Sequence, residues 1–234
     1  MSMTVMIAHA SKDEHGTFRG GAAGDQTGQE VVIRSWYNRP WNVVLRAKDT
    51  STANKIAEAM ERACKNDHIG YDQNQRNTAL TEARKVAYDP GRITKDVETD
   101  CSALVSLACM YAGIPEAALF MYGNSATTST LRSRLLKTGK FTELTARAYT
   151  GYSDKLVRGD ILLYEGHHVA VVVSAQPSIA INSANSKSID SVARAIIAGK
   201  YPNGVERTTR LRAEGFTDAE IGQIQTRVNQ LLKK

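Results

Sequence analysis

Cysteine is scarce in this sequence: Cys64, Cys101 and Cys109 are the whole complement, with no CxxC pair among them. An odd count without paired spacing argues against a disulfide framework and a structural zinc site, and a reducing compartment of synthesis is the simpler reading. Aromatic residues make up only 6% of the 234 positions, and no Lys/Arg block is longer than two. A nucleic-acid reader is therefore weakly supported. No apolar run approaches the ~20 residues that span a bilayer; the longest, around Val169–Val173, is strand-sized. The opening MSMTVMIAHASKDEHG has no basic stretch followed by a long apolar core, so no secretory signal is visible. The GGAAGDQTG stretch lacks the Gly-Lys-Ser/Thr that a phosphate cradle needs. His9, His15 and His68 are scattered and make no HExxH or other ligand spacing, so no metal ligands are expected among them.

What is present is ordinary globular composition, 42% hydrophobic and 23% charged, at a length that suits one medium domain or a domain plus a small module. The net charge of +6 points to an anionic partner: nucleic acid, an acidic membrane or an anionic cell wall. From His9 to Gln29 the chain is turn-rich, with five of the seventeen glycines. Val31–Trp36 and Val43–Arg46 read as short strands around the Asn38-Arg39-Pro40 turn. From Ser51 the period turns helical: Ile56, Met60, Ala63 and Cys64 share a face, with Ser51 or Thr52 able to cap the start. A second helix is predicted over Asn77–Val86, stopping near Asp89-Pro90-Gly91, and a third over Cys101–Tyr111, ended by Gly113 and Pro115. Strands are predicted at Lys140–Ala146, Asp160–Tyr164, His168–Ser174 and Ile179–Asn182. The polar tract Asn182–Ser188 reads as a linker. Ile189–Ala198, Glu206–Ala213 and Asp218–Leu232 read as amphipathic helical segments. The expected division is an α+β domain over residues 1–187 and a small helical module over 188–234.

Cys101 lies in Thr99-Asp100-Cys101-Ser102-Ala103-Leu104, where a loop enters an apolar helix. The unpaired N–H groups and positive dipole end at such a start favour thiolate over thiol, which predicts a lowered cysteine pKa. The same N–H groups can hold the oxyanion of a tetrahedral intermediate. The plain alternative is a small buried apolar cysteine, and core packing is the reading for Cys109 and Cys64. A thiolate nucleophile needs a base. His167 and His168 open a predicted strand, and adjacent strand residues point to opposite faces, so only one of them can meet Cys101. Asn182 on the next predicted strand can fix the imidazole tautomer. The competing reading is a pair of strand-edge histidines without chemistry.

DCSALVSLACMYAGIP followed by GDILLYEGHHVAVVV resembles the NlpC-type papain-like cysteine peptidases that cut bacterial peptidoglycan, over residues from about 65 to 185. The resemblance implies a papain-like fold with helices packed on an antiparallel sheet. It implies Cys101 as nucleophile and His168, directly before Val169-Ala170-Val171, as base. The third polar residue would follow on the next strand, as Asn182 or else Asn185. It further implies a stem-peptide site at Tyr71, in Ile69-Gly70-Tyr71-Asp72-Gln73, with Asp100 and Ser102 flanking the cysteine; a turn aromatic is the alternative for Tyr71. The segment HASKDEHGTFRGGAAGDQTGQEV is similar to the N-terminal part of phage-lysin peptidases of this type.

The tail from Val192 to Leu232 is similar to the Cpl-seven-type wall-binding repeat of phage lysins, with Tyr201-Pro202 where Trp-Gly is usual. One copy is present. Ser191–Lys234 holds eight Lys/Arg against four Asp/Glu, a surplus of four within the total of +6. Such a basic surface suits an anionic wall and predicts salt-sensitive adsorption; a solvated helix face is the alternative. Asn203, Gly204 and Arg207 are the expected wall contacts, offering a tight turn with exposed donors and a planar guanidinium. Together the resemblances imply an endolysin whose partner is bacterial peptidoglycan, with no nucleic acid, membrane insertion, metal or organic cofactor. They further imply a cut between D-iso-glutamine (or D-glutamate) and the third stem residue, and cytoplasmic synthesis followed by holin-type release. An N-acetylmuramoyl-L-alanine amidase, a cross-bridge peptidase and a non-catalytic wall-binding protein stay open.

Overall fold

A computed structural model describes residues 5–174, 189–214, 216 and 218–232. The chain divides into two compact units, residues 1–178 and 179–234. The expected boundary at 187/188, the strand Ile179–Asn182 and the linker Asn182–Ser188 lie outside the described residues.

In chain order the first unit comprises β1 (Met6–Ala10), β2 (Val31–Ser35), β3 (Val43–Ala47), α1 (Thr50–Ala63), β4 (Ile69–Tyr71), α2 (Thr78–Ala83), β5 (Val97–Thr99) and α3 (Cys101–Tyr111). There follow α4 (Glu116–Leu119), β6 (Phe120–Met121), β7 (Asn124–Ser125), α5 (Leu131–Lys137), β8 (Phe141–Leu144), α6 (Arg147–Thr150), β9 (Ile161–Tyr164) and β10 (His168–Ser174). Among the described residues six strands form one antiparallel sheet in the order β2-β1-β10-β9-β3-β8. A separate parallel pair joins β4 to β5. The unit is thus α+β, as expected. The strands predicted around Asn38-Arg39-Pro40 do form, but they do not pair with each other: β2 lies against β1, and β3 between β9 and β8.

The sheet is buried on both faces. Alternation along β10 sends Val169, Val171 and Val173 into the same core as Ile56 and Met60 of α1 and Leu104 and Leu107 of α3. Ala170 and Val172 face a smaller cluster with Ile7, Val44, Trp41, Leu156 and Leu162. This explains the near-continuous apolar run of β10 in an antiparallel sheet, where one wet face is commoner. Helix α3 is buried along its whole length from Cys101 to Met110, which is why its sequence is apolar all round. Truncating one of its core side chains, such as Leu104→Ala, costs about 2–5 kcal/mol.

Two local devices set the frame. Asp49, not Ser51 or Thr52, caps α1, its Oδ1 accepting the Thr52 N–H at 2.7 Å; the cap stands one residue before the helix proper, where its side chain reaches back-facing donors. At Arg158-Gly159-Asp160, Gly159 has φ +87°, and a Cβ there would meet the Ala53 carbonyl at 2.4 Å, so only glycine lets this turn lie on α1. Asp160, fully buried, then takes two hydrogen bonds from Arg46, both 2.7 Å, and the Val157 N–H at 2.9 Å.

The second unit holds α7 (Ile189–Ile197), α8 (Val205–Ala213) and α9 (Asp218–Leu232), close to the predicted segments. Its own core consists of Val192, Ala193, Ile196, Tyr201, Leu211, Ile224 and Val228. No helix among the described residues is long and apolar enough to cross a membrane.

Candidate active site

Asp100 sits at the N-cap of α3, and its Oδ1 accepts the N–H groups of Ser102 (2.9 Å) and Ala103 (2.7 Å). Leu104 N–H turns back to the Asp100 carbonyl at 2.9 Å. Of the orphan donors at this helix start, the Cys101 N–H is therefore the one left without an acceptor among the described residues. The oxyanion-binding capacity read from the sequence is correspondingly narrower, because Asp100 consumes the next two donors.

Asp100 is held in turn by Arg76, a buried residue that sequence reasoning missed. Its guanidinium gives Nε to Asp100 Oδ2 (2.6 Å) and Nη2 to Asp100 Oδ1 (3.1 Å) and Ser102 Oγ (2.8 Å). Further bonds reach Asn124 Oδ1 at 2.6 Å and the carbonyls of Ser125 and Ala126. Asp100 and Ser102, expected at the substrate, thus spend their side-chain oxygens on the cap and on Arg76. A lone arginine in the Asn74-Gln75-Arg76-Asn77 turn carries no motif; the one available signal was the need of a buried N-cap carboxylate for a cation.

The Cys101 thiol is buried, its sulfur facing the Val169 N–H at the start of β10. Burial, together with the adjacent Asp100 charge, pushes the thiol up to about 12. This reverses the lowering expected from the helix start: desolvation outweighs the helix end, Arg76 and the N–H groups of Val169 and Ser102, the latter shared with Asp100, that favour the thiolate. Cys109, mid-helix and fully buried, is likewise raised by burial; Cys64 is raised to about 12 by burial and by the Asp25 and Glu61 charges.

His168 is buried at the first position of β10, whereas His167 is exposed and stacked on Tyr164 at 4.1 Å between ring centroids. His168 Nε2 lies 2.8 Å from Nδ1 of His9, on the neighbouring strand β1. Trp41 covers the ring at 6.1 Å, and Tyr37 stands 6.3 Å from His9. Burial, then the charges of His9 and Arg39, lowers His168 to about 3; burial, Arg34 and Arg39 lower His9 to about 4. Both rings are neutral across the physiological range. His168 Nδ1 makes no hydrogen bond among the described residues, and none joins His168 to Cys101. In the sequence His9 stands isolated; its partner is 159 residues away, and only the pairing of β1 with β10 brings it in. Asn182 and Asn185 lie outside the described residues.

Tyr71, on β4, is buried, its hydroxyl accepting from Gln73 Nε2 at 3.1 Å, and burial together with the nearby Cys101 sulfur raises its pKa. The loop after β1 closes over β4 and β5. Gly70 shows how tightly: a Cβ there would meet the Gly24 carbonyl at 2.4 Å and Glu98 Oε2 at 3.0 Å. Glu98, in the middle of β5, is fully buried beneath this loop, and neither carboxylate oxygen has a partner. Burial, then Glu30, Asp72, Glu14 and Asp13, pushes it up to about 8. Among the described residues no three His, Cys, Asp or Glu side chains gather closely enough to hold a metal ion.

A family model described as an endolysin-like domain matches residues 7–178, and a CW_7 repeat matches residues 190–232. The chain belongs to the endolysin-like domain family. No curated protein and no solved structure matches it. The two matches support a peptidoglycan-targeting endolysin with a cell-wall-binding repeat. Within that repeat Asn203, Gly204 and Arg207 are brought together at the start of α8. Gly204 is its N-cap, at φ +66°, and Arg207 gives Nε to the Pro202 carbonyl (2.9 Å), Nη2 to Asn203 Oδ1 and Nη1 to Gln225 Oε1. The Tyr201 hydroxyl meets Glu214 Oε2 at 2.7 Å.

Proposed function

We propose that the first unit is a papain-like, NlpC-type cysteine peptidase that hydrolyses an amide of the peptidoglycan stem peptide, and that the second unit holds the wall. The observation that carries this reading is the juxtaposition at the start of β10. A neutral imidazole, with one nitrogen committed to a second histidine, adjoins the backbone N–H that faces a cysteine at a helix N-terminus.

In this mechanism His168 takes the Cys101 proton through Nδ1 as the sulfur attacks the scissile carbonyl carbon. The Cys101 N–H donates to the oxyanion. When the C–N bond breaks, His168 returns the proton to the leaving amine, and a thioester is left. Water, deprotonated by His168, then attacks the thioester and frees Cys101. A neutral thiol and a neutral imidazole fit proton transfer during attack, rather than a preformed ion pair. His9 is a positioning residue: with Nδ1 against His168 Nε2 it fixes the ring and tautomer, the role that sequence reading gave to Asn182. Arg76 positions Asp100 and Ser102, which frame the stem-peptide site beside Tyr71.

The bond cut is that between D-iso-glutamine (or D-glutamate) and the third stem residue, after holin-type release from the cytoplasm. The turn of Asn203, Gly204 and Arg207 makes the wall contact, its guanidinium fixing the turn that exposes backbone donors. Mass spectrometry of muropeptides released from purified walls tests the assignment: new amino termini should fall on the third stem residue. New termini on L-alanine would make the enzyme an amidase, and termini within the bridge a cross-bridge peptidase.

A further inference from the structure

Beside Tyr71 the loop after β1 carries a feature that catalysis does not use. Phe18 is 52% exposed, an unusual state for an aromatic side chain on so firmly tied a segment. Its carbonyl accepts the Gln73 N–H at 3.0 Å, and the Gly20 N–H goes to Asp72 Oδ2 at 3.1 Å. Asp13 gathers the N–H groups of His15 (3.0 Å) and Thr17 (2.6 Å) and the Thr17 hydroxyl (2.5 Å). At Gly21 a Cβ would come within 2.8 Å of both Asp13 Cβ and Glu14 Oε2, so the loop lies against its own base. The exposed ring is thus held out by a rigid backbone.

The ring is also aimed. It meets Tyr71 edge-on, 6.5 Å between centroids, and Tyr71 in turn neighbours the Cys101 sulfur. Thr17, Phe18, Arg19 and Gln73 line an open concavity of about 340 Å³. Lys12 Nζ stands 5.8 Å from the Phe18 ring centroid, and Arg19 is exposed with no acceptor for its guanidinium among the described residues. An aromatic ring with one cation over it and an exposed arginine in the same concavity, edge-on to the Tyr71 that neighbours the Cys101 sulfur, matches a ligand with an apolar or pyranose face and a carboxylate.

We infer that Phe18 and Arg19 form a substrate subsite that takes the carboxylate-bearing part of a muramyl peptide, Phe18 lying under its apolar or pyranose face and Arg19 pairing with its carboxylate. The assignment rests on the peptidase reading above and adds the recognition element to it. Preformed binding of this kind acts on ground state and transition state alike, so it is read in KM and not in kcat.

The test uses the full chain and a soluble disaccharide-peptide in two forms, free carboxylate and amide. Phe18→Ala and Arg19→Gln should each raise KM about fivefold to tenfold, with kcat within about twofold of the parent. The Arg19→Gln penalty should vanish on the amidated substrate. Unchanged KM in both variants, or a fall in kcat at unchanged KM, overturns the subsite; an equal Arg19 penalty on both substrates overturns the carboxylate pairing. Calorimetric titration of the Cys101→Ala chain with the same two ligands reads binding without turnover. If the parent chain cuts neither substrate, the peptidase reading fails, while weaker binding in the Phe18 and Arg19 variants still upholds the subsite and equal binding overturns it.

Discussion

Two carboxylates stand two residues apart, both buried, and meet opposite surroundings. Asp100 is an ion pair with Arg76, at 2.6 Å, and caps a helix with its remaining capacity. Glu98 lies under the loop among four other acids with no partner on either oxygen, and is pushed up to about 8. The two histidines of the site follow Glu98: buried and without an opposite charge, they are held neutral. A cation at the right place keeps a buried charge, and its absence moves the proton instead. The candidate site thus combines one ion-paired scaffold at the start of α3 with neutral groups around the chemistry.

Substitutions at these groups should separate the ion-paired scaffold from the neutral groups. The largest effect is expected from the neutral base. His168→Ala should lower kcat/KM about 10²–10⁴-fold, and His167→Ala little; loss with His167→Ala alone, measured on soluble muropeptides, would overturn the choice of base. Arg76→Ala would put Asp100 into the position of Glu98, a buried carboxylate without its cation. A cost of about 3–5 kcal/mol in denaturant unfolding is expected, and a change below about 1 kcal/mol would show that the scaffold does not depend on the pair.

His9 should govern the acid limb of the pH profile. With His168 lowered to about 3, the acid limb of kcat/KM should show no break near the ordinary histidine value of about 6.5. His9→Ala removes one of the charges that lowers it, so the limb should move upward while kcat falls about tenfold or more. A purely packing role would leave the limb in place. Stability follows the same sign. Both histidines bind protons more readily in the unfolded chain, so stability should fall as pH drops from about 6.5 through about 4, the His9 value, toward about 3, the His168 value.

Glu98 gives stability a pH dependence of the opposite sign. Its folded value of about 8 lies above the unfolded carboxylate value of about 4.3. The folded state therefore holds the extra proton between these values, and stability from this group declines as pH rises from about 4.3 to 8. Glu98→Gln should flatten that decline and raise the Tm by a few degrees at pH 8; an unchanged slope would mean that Glu98 is ionised in the folded chain.

Parts of this were legible in the residues themselves. Helix α3 and strand β10 show in the apolar runs after Asp100 and after His168, because a fully buried helix and a doubly buried strand admit few other residues. The glycine of Arg158-Gly159-Asp160 is forced by a close approach to α1, a contact visible only in three dimensions. Strand β1 was hidden because a five-residue strand beside a glycine-rich loop has little periodicity, and with it His9 was lost. The direction of the Cys101 shift is illegible in the sequence for a related reason. A helix start lowers a thiol pKa when it is open to solvent, and this one is closed by a strand from 68 residues later in the chain. Arg76 was missed because its partners are set by folding and not by spacing.

If Cys101 is the nucleophile of a wall-degrading enzyme, lysis of purified cell walls by the full chain depends on its thiol. The Cys101→Ala chain, folded to the same Tm and still adsorbing to the walls, should lose at least about 10³ of the lytic rate. Undiminished lysis by that variant would rule out Cys101 as the nucleophile.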